Sequence, residues 1–218
     1  MVITISYQPQ HLAPPFAYAA VFKFEIGSKE ITAELTLEYL GRDTISLDEL
    51  KAEGFTKNDD YSWRGVIDPK WKADILSFST LQIQSEPDSE IYLHIAIEDE
   101  QKGFAKDIQS ADVLFQELLQ AVIEQDQIEA PLKIQLRLNN KPYEITWEFS
   151  KRVINKNEIE SKDWETGREI MNHIYALDFD KLTGIRKPSS DSVLLDELWY
   201  PINDNIKNNL ISNLENLG

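Results

Sequence analysis

Cysteine is absent from the 218 residues, which removes disulfides, thiolate zinc sites and cysteine nucleophiles. Glycine occurs only eight times, and none of the glycines forms a Walker A loop, a GxGxxG turn or a GxSxG elbow. HExxH is missing as well, so the motif-bearing phosphate binders, hydrolases and zincins find no support. The three histidines (His11, His94, His173) are scattered and suggest no triad. No apolar run approaches the roughly 20 residues of a membrane span. The opening MVITISYQPQ lacks the basic and apolar regions of a signal peptide. A cytoplasmic protein without membrane association is therefore expected.

Positive charge is also in short supply. There are 22 basic and 38 acidic residues, a net charge of −16. Both halves share the excess: residues 1–109 carry 19 acidic and 10 basic side chains, and 110–218 carry 19 and 12. Affinity for phosphates comes from clustered Lys and Arg, so ordinary nucleic-acid binding is disfavoured. A well-solvated surface explains the acidity most simply; mimicry of nucleic acid or a basic partner is the sharper reading.

What the chain does have is amphipathic hairpins. FAYAAVFKFEI, Gly27-Ser28 and KEITAELTLEYL read as two alternating strands, 16–26 and 29–40, around a two-residue turn. That turn pairs Ile26 with Lys29 and Phe24 with Ile31. It places Phe22, Phe24, Ala33, Leu35 and Leu37 on one apolar face, with Glu30, Thr32, Glu34, Thr36 and Glu38 on the solvated one. LKIQLRL and YEITWEF form a second hairpin, with a loop over Asn139–Pro142 that keeps the proline out of the ladder and pairs Arg137 with Glu144. Further strands are expected at 2–7, 61–67, 81–83 and 91–97. In the last of these Ile91, Leu93, Ile95 and Ile97 point one way.

Helices punctuate the strands. Ser46 and Glu49 suggest a capping box for a helix over 47–53, stopped by Gly54, and Asp68-Pro69 opens a turn through Trp71 and Ile75. Asp107–Gln125 carries the clearest stripe (Ala111, Phe115, Leu118, Leu119, Val122), with Gln116, Glu117, Gln120 and Glu124 outside. Beyond residue 150 helices are expected over 161–181, near Val193–Trp199 and after Pro201. The pattern predicts an α+β fold: a mainly antiparallel sheet of amphipathic hairpins, covered on one face by helices. Its strand-rich core spans 1–150, and a helix-rich C-terminal third (151–218) docks on that sheet as one compact unit.

The candidates for chemistry are few. Glu165, Glu169 and His173 fall at i, i+4 and i+8, a spacing that suits a divalent metal. They lie opposite the apolar side of their helix, however, which reads as a solvated stripe. Asp178-Phe179-Asp180 has the look of the nucleophile loop of haloacid-dehalogenase-like phosphatases. Leu182 stands where that motif has Thr or Val, and no α/β domain can follow in what remains, so the likeness is rejected. His94 would serve as a general base only if a carboxylate oriented it. Aromatic residues are the remaining lead. Tyr61, Trp63, Trp71, His94, Trp199 and Tyr200 would make a recognition patch if exposed, and core plugs if buried.

No cofactor or metal is called for. The expected function is a non-catalytic protein–protein interaction, rather than an enzyme. A small-molecule site between sheet and helices, or a self-associating homodimer, are the alternatives.

Overall fold

The strict alternation of large apolar and polar residues along the hairpins decides which face of each strand turns inward. The computed structural model describes the whole chain apart from Asp99, Asp178, Asp180, Lys181, Leu182, Asp196 and Gly218; for Gln101 it describes the backbone alone. The chain divides into two compact units, Met1–Asp126 and Gln127–Gly218. The fold is α+β, with one antiparallel sheet in each unit. The hairpin at 132–148, grouped above with the N-terminal strands, belongs to the second sheet.

In the first unit the elements are β1 (Val2–Pro9), β2 (Tyr18–Ile26), β3 (Ile31–Tyr39), α1 (Leu47–Ala52), β4 (Tyr61–Ile67), α2 (Lys72–Ser77), β5 (Ile83–Gln84), β6 (Ile91–Ile97), β7 (Glu100–Ala105) and α3 (Ile108–Gln125). The strand order is β4-β3-β2-β1-β6-β7-β5. The first hairpin closes through four residues, not two: Gly27 N–H donates to Glu30 O at 3.0 Å, and Ile26 pairs with Ile31 and Phe24 with Ala33. The register therefore differs from the expected one by two residues. Because side chains alternate with period two, every residue keeps its face.

That face is the core. Ile3, Ile5, Phe22, Phe24 and Ala33 are fully buried beneath α3, whose Phe115 stacks on Tyr7 at 4.2 Å and meets Phe22 edge-on at 5.4 Å. The Ser46–Glu49 capping box forms at α1, and Asp107 caps α3 by accepting from Ser110 N–H. The expected stripe of α3 is buried. Glu117 and Glu124, expected outside, are largely buried too, and neither lacks a partner.

The second unit contains β8 (Leu132–Leu138), β9 (Lys141–Glu148), β10 (Val153–Lys156), β11 (Ile159–Ser161), α4 (Trp164–Tyr175), β12 (Ser192–Leu195), β13 (Leu198–Pro201) and α5 (Asp204–Asn216). Its strand order is β11-β10-β9-β8-β12-β13. Here the expected four-residue loop is a two-residue turn, Asn139-Asn140, with φ of 50° and 64°, the geometry of a tight hairpin turn that asparagine tolerates. Arg137 consequently pairs with Pro142, not Glu144. The proline costs no ladder bond, since β10 covers β9 only from Ile145 to Glu148. The short helix expected near Val193–Trp199 is instead the hairpin β12–β13, with Val193 opposite Tyr200 and Leu194 opposite Trp199. Helix α4 ends at Tyr175, short of the expected Lys181. Of the rejected phosphatase-like loop, Asp178, Asp180 and Leu182 lie outside the described residues.

The two units share one topology. Each has a four-strand meander (β1–β4, β8–β11), a helix (α2, α4), a hairpin (β6–β7, β12–β13) and a closing helix (α3, α5). In each, the first strand of the later hairpin pairs antiparallel with the first strand of the unit. The closing helix is capped by an Asx residue two positions beyond the last strand, Asp107 in one and Asn203 in the other. The first unit adds α1 and the short edge strand β5.

Packing against α4 supplies a test of the second core. The Gly167 carbonyl accepts a hydrogen bond from Trp147 Nε1 at 3.2 Å, and a Cβ at 167 would overlap Ile154 Cδ1. Alanine is the better helix former by about 1 kcal/mol, but overpacking costs about 1–3 kcal/mol. Gly167→Ala is expected to lower the denaturation midpoint, and Ile154→Val in the same chain to recover much of the loss. A stabilised single variant would contradict this packing.

Candidate functional site

Strand β6 turns Leu93 and Ile95 into the core, where both are fully buried. Tyr92, His94 and Ala96 therefore face the opposite side. An antiparallel sheet with helices on one side leaves its other side to solvent. Among the described residues, none on that side of β1–β4 and β6 is buried.

On this open face His94 lies between Ser6 of β1 and Phe104 of β7. The Phe104 ring meets both Tyr92 and His94 edge-on, with centroids 5.1 Å apart in each pair. Such T-shaped contacts suit the ring quadrupoles and hold the three side chains as one cluster. The register of β6 and β7 shifts between Ile95 and Ala96. Beside this irregularity Gly103 adopts φ 138°, and a Cβ there would stand 2.8 Å from Gln84 O. Glycine thus lets the edge strand β5 close on β7. The result is an open groove of about 450 Å³, lined by Ile83, Gln84, Ser85, His94, Lys102 and Phe104, together with Gly103. The face continues through Ser6 to Val21, 38% exposed.

The six candidate aromatic and histidine residues fall in both units, four in the first and two in the second. Trp71 and Tyr200 are core residues, 0% and 3% exposed; neither is available to a partner. Trp63 lies on the core side of edge strand β4, opposite Leu35, with its indole laid over Gly65 so closely that a Cβ there would overlap the ring. Tyr61 donates its hydroxyl to Asp126 at 2.8 Å. Burial, then that hydrogen bond, pushes its phenol well above the usual range, so it stays a donor. Trp199 is half-buried in the second unit. It pairs with Leu194 and Ile185 and lines a groove of about 390 Å³ with Pro142, Glu144 and Asn157. Only His94 stands on the open face of the first sheet. The alternation along 91–97 already puts its neighbour Tyr92 on the His94 face, whereas Phe104 lies on a strand, β7, that the sequence pattern did not reveal.

Other polar groupings are braces. Tyr7 donates to Asp112 Oδ1 at 2.6 Å, and Gln116 Nε2 donates to the hydroxyls of Tyr7 and Tyr18 at 2.9 and 3.1 Å. Burial first, and then Asp112, raises the Tyr7 phenol, which keeps it a donor and ties β1 to α3. Glu165 places both carboxylate oxygens 2.8 Å from Arg168, while Glu169 is exposed and His173 half-buried.

Compared with known proteins, the chain matches no family model, no curated protein and no solved structure. No helix among the described residues is long and apolar enough to cross a membrane.

Proposed function

We propose that this is a non-catalytic binding protein, acting in the cytoplasm through protein–protein contacts made by the open face of its first sheet. The ring cluster of Tyr92, His94 and Phe104 beside the β5–β7 groove carries this reading. Aromatic side chains supply large contact area at little cost in conformational entropy, and they dominate the energetics of interfaces. The setting is a rigid one, because β6 is paired on both edges and its inward residues are locked in the core.

Affinity capture from the source lysate with the immobilised full chain tests the proposal. A stoichiometric partner should be retained at moderate salt. No retained partner would sink it.

A further inference from the structure

We propose that the partner presents to this face a lysine- or arginine-rich segment carrying one apolar anchor, an inference that rests on the binding reading above. The anchor follows from the ring cluster: Phe104 lines the groove, and Tyr92 stands against Phe104. The charge follows from what borders β6 at its two ends. The loop that precedes it carries Glu86, Asp88 and Glu90, directly after Ser85 of the groove wall. At its other end stand Glu98, in the turn, which accepts from the Val2 N–H at 2.9 Å, and Glu100, the first residue of β7; both are exposed. Among the described residues that line the groove, Lys102 is the single lysine or arginine, and it sits 3.5 Å from Glu100.

The row of rings is therefore apolar in the middle and acidic at both ends. Charges at the rim of an interface steer association and suppress partners of like sign, while the desolvated centre supplies most of the affinity. A segment with cations flanking an aliphatic or aromatic residue matches both parts; an acidic segment would meet like charge at each end.

The test is selection of a random dodecapeptide library, displayed on phage, against the immobilised full chain, with Phe104→Ser and Tyr92→Ser as parallel baits. Both variants leave the net charge unchanged, and each is first checked for a wild-type melting temperature. Enriched sequences should combine Lys or Arg with one large apolar residue, and their capture should fall by about tenfold or more on either variant, as for a hot-spot contact. Non-specific attraction to an acidic surface would persist on the variants, and that result overturns the proposal. So would enrichment of acidic or uncharged sequences, or no enrichment at all. If the lysate still yields a partner while the library gives the wrong charge, the chemistry assigned to the segment fails and the binding reading stands. Failure of both experiments removes the binding reading itself.

Discussion

Trp71→Ala is expected to destabilise the protein by about 3–5 kcal/mol, the usual cost of deleting a buried tryptophan. Trp71 is fully buried at the end of a 3₁₀ turn opened by Asp68 and Pro69, where the Asp68 carboxylate accepts the Lys70 N–H. It leads directly into α2, whose Ile75 is also fully buried, as is Phe78 just beyond it. The cavity cannot be filled by a short turn held by a cap and a proline, so little relaxation should offset the loss. Chemical denaturation should show a lower midpoint. A midpoint within experimental error of wild type would mean that the indole is exposed, as the recognition-patch reading of Trp71 required.

Arg42→Met should cost about 2–4 kcal/mol, because it leaves buried acceptors unpaired while keeping most of the side-chain volume. Arg42 is 2% exposed. Its Nε donates to Pro15 O at 2.9 Å, and Nη1 donates to Thr56 O at 3.2 Å and to Asp59. Nη2 is buried without a hydrogen bond. The guanidinium compensates by lying over the Tyr39 ring, 3.5 Å from its centroid, with Phe55 at 4.4 Å. One side chain thus ties together the loop before β2, the end of β3 and the segment after α1.

The partner Asp59 gives the arrangement a pH signature. Hydrogen bonds from the Thr56 side chain and backbone, and then Arg42, hold its carboxyl below the ordinary 3.8. A depressed folded-state pKa contributes stability that is complete above the unfolded value and lost as pH falls through the folded one. Asp59→Asn should therefore flatten part of the acid limb of the stability curve below about pH 4. An unchanged acid limb would remove Asp59 from the account.

Much of the first sheet was legible from alternation. The inward faces of β2, β3 and β6 are as the pattern predicts, and α3 buries its expected stripe. What failed was turn length, in opposite directions. Gly27-Ser28 looked sufficient for a turn, yet the chain uses Gly27 through Glu30. Pro142 argued for a long loop, yet two asparagines at positive φ close it. Each error was two residues, and that is why the faces survived.

The two later hairpins were missed for a common cause. β7 follows a turn at Glu98, and β13 follows one at Glu197. Acidic residues carry none of the Asn-Gly or Gly-Ser signal of a hairpin, and in LLDELWY they read as the polar side of a helix. Glu98 and Glu197 nonetheless adopt φ of 50° and 73°. Missing β7 hid Phe104, and with it the cluster around His94. The shared topology of the two units was hidden too, because the first later hairpin lost its second strand, the second was read as a helix, and the stretch that forms β10 and β11 was read largely as a polar connector.

Affinity capture repeated with Phe104→Ser, at a melting temperature matched to wild type, tests the central claim most directly. Loss of the partner that wild type retains is the predicted result. Equal retention would show that binding is made elsewhere on the molecule, and would contradict the assignment of the open face.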